Sequence, residues 1–452
     1  MSADWRGLPV TGADDATRAA MDDFALGLLG YEPRIARILA AAEAAPGCAL
    51  AQAQAAMLHM LAEDAGAPAR ARPFLRRAQA AQSGASEREQ SIVAATEVWV
   101  EGDVARAIAT GAEHVAAWPR DLPMAKIAQY HLFNLGDAPG MLRIGHRAVA
   151  ANPDVAYAHG MLAFAQEQCH WLRDAEETAH DALRLYAEEP WAQHALAHVM
   201  LTTGRNAEAR AFLEEAAPHW ESLTSFMHTH NWWHLALVQI EQGDAARVLD
   251  YYDRHIWGVC KEFVQDQIGA VSLLVRLELA GVDVGDRWDD LAPYLAARIE
   301  DHVQPFLSMQ YLLGLARAGR GDRAAEAAAM LVAIRATAAS APPPSAMAWQ
   351  GVCVPACEAL LAWTAGDWQG CIDRLGPVLP RMAEIGGSHA QRDLFEQVLN
   401  DSLWRSGQLV ALQQRLELRR SGNPHSRPTL RRLSEIYRRL DLPEEAARMQ
   451  AA

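Results

Sequence analysis

A 34-residue period constrains this chain more than any other feature. Gly102-Asp103 and Gly136-Asp137 stand 34 residues apart, Gly204-Arg205 follows at twice that interval, and His170-Trp171 fills the slot between. Small residues hold the same register: Ala95, Ala163 and Ala197 before the turns, Ala107, Ala175 and Ala209 after them, then Ala148, Ala182 and Ala216. Trp118-Pro119 and Asn152-Pro153 repeat at the same spacing and mark the ends of units. A fixed period of this size means that one supersecondary unit stacks on copies of itself, because a single unit cannot bury its apolar face alone. The length of 452 residues therefore does not count domains, although it would hold two or three ordinary ones.

Apolar residues make up 51% of the chain, alanine dominates, and apolar positions recur at three and four rather than at two, which is an all-α pattern. The unit resembles the tetratricopeptide repeat, a helix-turn-helix in which small residues let two antiparallel helices approach and a terminal proline stops the second. Units are expected to begin near Arg88, Leu122, Ala156, Pro190 and Thr229, the last with Ala236 and the turn Gly243-Asp244. Before them, amphipathic stretches at 16–30, 34–45 and 49–63, broken at Pro33, Pro46-Gly47 and Gly66-Ala67-Pro68, are expected to form capping hairpins. After them come 261–280 with 288–300, then 307–339 carrying Gly314 and Gly321-Asp322, and a rigid break at Pro342-Pro343-Pro344. The segments 352–380 (Ala359, Gly366-Asp367) and 393–424 (Gly407, Pro424), and a basic pair at 429–449, complete about eleven hairpins. The chain thus divides into capping hairpins at 1–87, regular repeats at 88–260, divergent repeats at 261–424 and C-terminal capping helices at 425–452. The resemblance implies a right-handed α-solenoid. In that family seven or eight units complete a superhelical turn, so an array of this length is expected to curl into a nearly closed ring around a central pocket.

The net charge of −15, without long runs of one sign, opposes attraction to nucleic acid or anionic membrane surfaces. The first residues carry no charged segment followed by an apolar run, and no apolar stretch approaches the roughly 18 residues of a membrane span, so a cytoplasmic protein is expected. The six cysteines lack C-x-x-C spacing and are expected to be buried free thiols, with Cys353 and Cys357 on one helix face.

The stretch from Trp191 to Leu237 carries two histidine pairs at helical spacing, His194/His198 and His230/His234, separated by a run that includes His228, Asn231, Trp232 and Trp233. Four residues turn a helix through about 400°, so each pair shares a face. Two such pairs on adjacent helices would supply three or four nitrogen ligands to Zn²⁺ or another divalent transition metal at about 2.0–2.1 Å. Asp266 is the candidate oxygen ligand or tautomer-fixing partner. The competing readings are a metal-free polar pocket and structural packing, in which each imidazole bonds a carbonyl or carboxylate. The H-E-x-x-H pattern of zinc proteases is absent. In Gly386-Gly387-Ser388-His389-Ala390-Gln391-Arg392-Asp393, Ser388 and Gln391 suit a capping box. The functional alternative is that free backbone N–H groups with His389 and Arg392 hold a carboxylate or phosphate.

By the tetratricopeptide resemblance, ligand-facing residues lie on first helices, at positions that here hold Lys126, Tyr130, Tyr157, Phe164, His194, His198, His230 and Trp233, with His234 displaced by one place. His194 to His198, His230 to His234, Val282 to Trp288 and Gly386 to Asp393 together resemble the tetratricopeptide repeat protein 38-like family over nearly the whole chain. That resemblance implies the fold and the choice of residues; it carries no reaction.

The expected function is therefore binding of a small polar molecule or a peptide end in a concave pocket through His194, His198, His230, Asn231, Trp233, Tyr157, His389 and Arg392. The alternative is a hydrolase or lyase using His198, His234 and Asp266 for acid–base or metal-assisted chemistry, with Arg392 or a metal stabilising negative charge. The third expectation is a scaffold for protein partners.

Overall fold

A computed structural model describes residues 2–319 and 323–451. Among them 25 α-helices account for nearly all regular structure, and the only strands are a two-residue pair, Ser2–Ala3 against Pro9–Val10. The chain is all-α, a succession of tetratricopeptide-like helical hairpins. No helix of the described residues is long and apolar enough to cross a membrane.

The period is visible as a repeated turn. Gly102, Gly136, His170 and Gly204 all have positive φ, between 58° and 80°. The next residue in each case donates its N–H five residues back: Asp103 to Val98, Asp137 to Leu132, Trp171 to Gln166 and Arg205 to Met200. This is the Schellman end of a helix, which needs a left-handed residue; histidine takes that conformation at some cost where glycine takes it freely. The Asp of each Gly-Asp pair then caps the following helix, Asp103 accepting from the Arg106 N–H at 3.0 Å and Asp137 from Gly140 at 2.8 Å. One dipeptide thus closes one helix and opens the next. The same turn recurs at Gly243, Gly281, Gly366 and Gly407. Gly321-Asp322 lie outside the described residues.

The expected hairpins are present as Glu87–Val100 with Val104–Ala117, Leu122–Asn134 with Ala138–Ala151, Ala156–Gln168 with Leu172–Leu185, Pro190–Thr202 with Asn206–Ala216, and Ser225–Gln242 with Ala245–Tyr251. One helix was not anticipated. Ala67–Ala81 lies where Gly66-Ala67-Pro68 suggested only a break; Pro68 occupies the first turn, where its missing N–H costs nothing. Cys169 and Cys260 are half-buried, whereas the other four cysteines are buried and all six are free.

The residues group into two compact units. One holds 1–195, 219–227 and 343–345; the other holds 196–218, 228–342 and 346–452. In the second, Gly314 on Pro305–Arg317 lets the helix lie against Val264–Leu279 and Arg287–Ala296. A methyl group there would sit 2.5 Å from both Leu295 Cδ1 and Val271 Cγ2. Gly314→Ala would gain about 1 kcal/mol of helix propensity. The overpacking outweighs it, so a net loss of about 1–2 kcal/mol is expected in urea denaturation. A variant as stable as the parent would show that these helices part without cost.

Candidate functional site

Three helices bring four imidazoles into a file within the second unit. His198 comes from the middle of Pro190–Thr202, His230 and His234 stand one turn apart on Ser225–Gln242, and His389 opens His389–Arg405. Ring centres are 5.3 Å apart for His389 and His198, 4.5 Å for His198 and His234, and 4.8 Å for His234 and His230. One nitrogen from each of His198, His230 and His234 lies within 4.8 Å of the others, and the Nε2 atoms of His230 and His234 are 3.3 Å apart. A tetrahedral metal with nitrogen ligands at 2.0–2.1 Å has an edge of about 3.4 Å, so that separation suits coordination.

His198 and His234 are fully buried, while His230 keeps some contact with solvent. Burial, reinforced by the positive charge that His198, His230, His389 and Arg276 would add, holds His234 well below the ordinary histidine range. Burial, with His198 adding to it, pushes His230 down to about 3. These are neutral imidazoles near pH 7, the form that binds metal or makes hydrogen bonds without repulsion.

The file opens onto a cleft of about 590 Å³ whose wall includes His198, Thr202, Arg276, His389, Arg392 and Arg419. That volume lies within the range of small-molecule sites. His389 Nε2 lies 3.2 Å from the Thr202 hydroxyl. Arg276, only 2% exposed, donates to the Ala390 carbonyl at 2.8 Å and reaches Asp393 at 3.4 Å. Burial raises the Asp393 carboxyl, but Arg419 and Arg276 outweigh it and hold the group well below the usual carboxylate range. Arg392 donates to the carbonyl of Gly387, bracing the turn that precedes its own helix.

Ser388 and Gln391 form the expected capping box, the Gln391 side chain accepting from the Ser388 N–H at 2.8 Å and Ser388 Oγ from the Gln391 N–H at 3.3 Å. Two of the amides that would have held an anion at this helix start are thereby engaged. The His389 and Arg392 side chains line this side of the cleft.

Asp266 is buried, accepting from the Thr229 hydroxyl at 3.2 Å and the Cys260 N–H at 3.1 Å, and it is not among the groups whose ligand atoms gather with the histidines. It ties the loop before Val264–Leu279 to Ser225–Gln242. Trp233 is buried and stacks on His230 at 5.5 Å, backing the file. Asn231 is buried, with neither amide atom hydrogen-bonded among the described residues. His194 and Tyr157 belong to the first unit, where His194 stacks on Trp191 at 4.5 Å and Tyr157 packs on Tyr186 at 6.3 Å. Thr202 and Arg419 were missed. Neither has a local spacing signal, and only the hairpin packing brings them to the cleft.

No protein-family model matches the chain. Among solved structures, the human IFIT1 dimer with PPP-AAAA is 14% identical, with 95% of this chain and 93% of that one covered and a TM-score of 0.42. The structure of Naa15/Naa10 bound to HypK-THB is 12% identical over 96% of this chain and 67% of that one, with a TM-score of 0.26. The P58(IPK) TPR domain is also 12% identical, over 79% and 99%, with a TM-score of 0.22. Among the described residues the chain is an all-α array of helical hairpins.

Proposed function

We propose that the second unit binds a small polar ligand bearing a carboxylate or phosphate, with His198 and His389 on one wall of the cleft and Arg392 and Arg419 supplying cationic donors. The observation that carries this reading is the joint opening of imidazole and guanidinium groups onto one cleft of ligand size. The resemblance to the tetratricopeptide repeat protein 38-like family belongs to the same reading and adds no reaction to it. A thermal-shift series with malonate, citrate and inorganic phosphate tests it. At least one should raise the melting temperature of the parent chain, and His389→Ala with Arg392→Ala should abolish the shift. Equal shifts in both proteins, or none in either, would refute it.

A second reading has a specific observation in its favour. The nitrogen spacing of His198, His230 and His234 suits a divalent transition metal, which at the inner end of the cleft would polarise a bound oxygen as a Lewis acid. Imidazoles held far below pH 7 are weak general bases, so this geometry supports metal-assisted hydrolase or lyase chemistry better than simple acid–base exchange. Chelator-treated, tag-free protein should take up one equivalent of Zn²⁺ at pH 7 with micromolar or tighter affinity, and His234→Asn should lose it with helicity unchanged. Uptake that survives this substitution would place the metal elsewhere.

A further inference from the structure

Of the 41 basic residues in this chain, two are lysines, Lys126 and Lys261; every other is an arginine. Lys261 sits in an ordinary surface setting, its ammonium bonded to both carboxylate oxygens of Asp290 at 3.0 and 2.7 Å. Lys126 does not. On Leu122–Asn134 in the first unit, its Nζ lies 3.9 Å from the centre of the Trp191 ring and 4.7 Å from that of Tyr31, and it makes no hydrogen bond or ion pair with the described residues.

The surroundings are aromatic. Trp191 packs on Tyr31 at 5.3 Å, on Phe164 at 4.6 Å and on His194, and Tyr31 packs on Phe226 at 5.6 Å. The nearby carboxylates are already bonded. Glu189 accepts from the Trp191 and Ala192 N–H groups at the start of Pro190–Thr202, and Glu63 accepts from the Tyr130 hydroxyl at 2.8 Å.

The ring faces favour an ammonium by about 1 kcal/mol, which does not replace its lost water. Burial pulls the Lys126 amine down to about 7, with Glu189 opposing it. Arginine cannot fill such a role, because a guanidinium does not deprotonate in a protein, whereas a desolvated lysine becomes a nucleophile.

We propose that Lys126 is a nucleophilic amine whose aromatic walls take a small aldehyde or ketone and hold it as an imine. The neutral amine's lone pair forms a C–N bond to the carbonyl carbon, giving a carbinolamine. The hydroxyl then leaves as water, carrying the two amine hydrogens, as the C=N bond forms. The ammonium's third proton goes to solvent beforehand, and nothing is oxidised or reduced. The apolar ring walls favour a neutral carbonyl compound over an anionic one. This site is independent of the cleft in the second unit.

The full chain with two lysines is its own control. Treated with benzaldehyde and cyanoborohydride at pH 7, Lys126 should be benzylated about tenfold or more faster than Lys261, because an ordinary lysine of pKa about 10.4 is neutral in fewer than one molecule in a thousand at that pH. Peptide mass mapping reads the ratio. After reductive methylation with ¹³C-formaldehyde the Lys126 resonance should titrate near pH 7. Equal labelling of the two lysines, faster labelling of Lys261, or a Lys126 resonance that titrates above pH 10 would overturn the proposal.

Discussion

Lowering the pH from 7 to 5 should cost this protein about 2 kcal/mol of stability through His131, with His234 adding to the loss. Both are buried, and burial depresses both, His131 to about 4 and His234 well below the ordinary histidine range. In the unfolded chain each regains an ordinary pKa near 6.5. The folded state then refuses protons that the unfolded state accepts, so the stabilisation is complete above pH 6.5 and is lost as the pH falls from there toward the folded values. The slope is about 1.4 kcal/mol per pH unit for each group, and His230 adds to the loss in the same direction. Against a total stability of roughly 5–15 kcal/mol this is decisive. Urea denaturation at half-unit steps from pH 7.5 to 5 measures it, and His234→Gln should flatten the slope by about one proton. A midpoint that does not move over this interval would mean that the imidazoles are protonated in the fold.

Asp393→Ala should destabilise the second unit by about 2 kcal/mol, less than the 3–5 typical of a broken buried pair because the Asp393 side chain is 26% exposed. The carboxylate serves Arg276, Arg419 and Gln397 together, the last at 2.7 Å. Removing it leaves the Arg276 guanidinium, almost wholly enclosed, with the Ala390 and Gln391 carbonyls and the Ser272 hydroxyl, all neutral, as acceptors. The cost is that of a stranded charge, so Arg276→Met in the Asp393→Ala background should recover part of the loss. Additive losses in this double-mutant cycle would show that the two side chains do not share one energetic unit.

The hairpins were legible because the turn chemistry repeats. A residue with positive φ followed by a cap leaves the same two-residue signature at Gly102-Asp103, Gly136-Asp137, Gly243-Asp244 and Gly366-Asp367. Ala67–Ala81 was hidden by Pro68 and Pro73, since proline reads as a breaker unless its place in the first turn is known and Pro73 lies inside the helix.

The histidine pairs were legible for the same reason: spacing of four on a helix fixes a shared face. His389 was flagged only for its neighbours, and its edge-to-face contact with His198 spans almost two hundred residues of sequence, a distance over which no local pattern speaks. Asp266 shows the reverse error. A carboxylate on the next helix looked available for the histidines, but Thr229 and the Cys260 amide already engage both of its oxygens.

Arg276 has a consequence beyond holding Asp393. Its positive field is one of the influences that keep His234 neutral. An anion seated in the cleft beside Arg276 would offset that field and make His234 easier to protonate, so binding would draw a proton from the buffer. By reciprocity the same anion would bind more tightly in mild acid. Its calorimetric heat would then vary with the ionisation enthalpy of the buffer chosen.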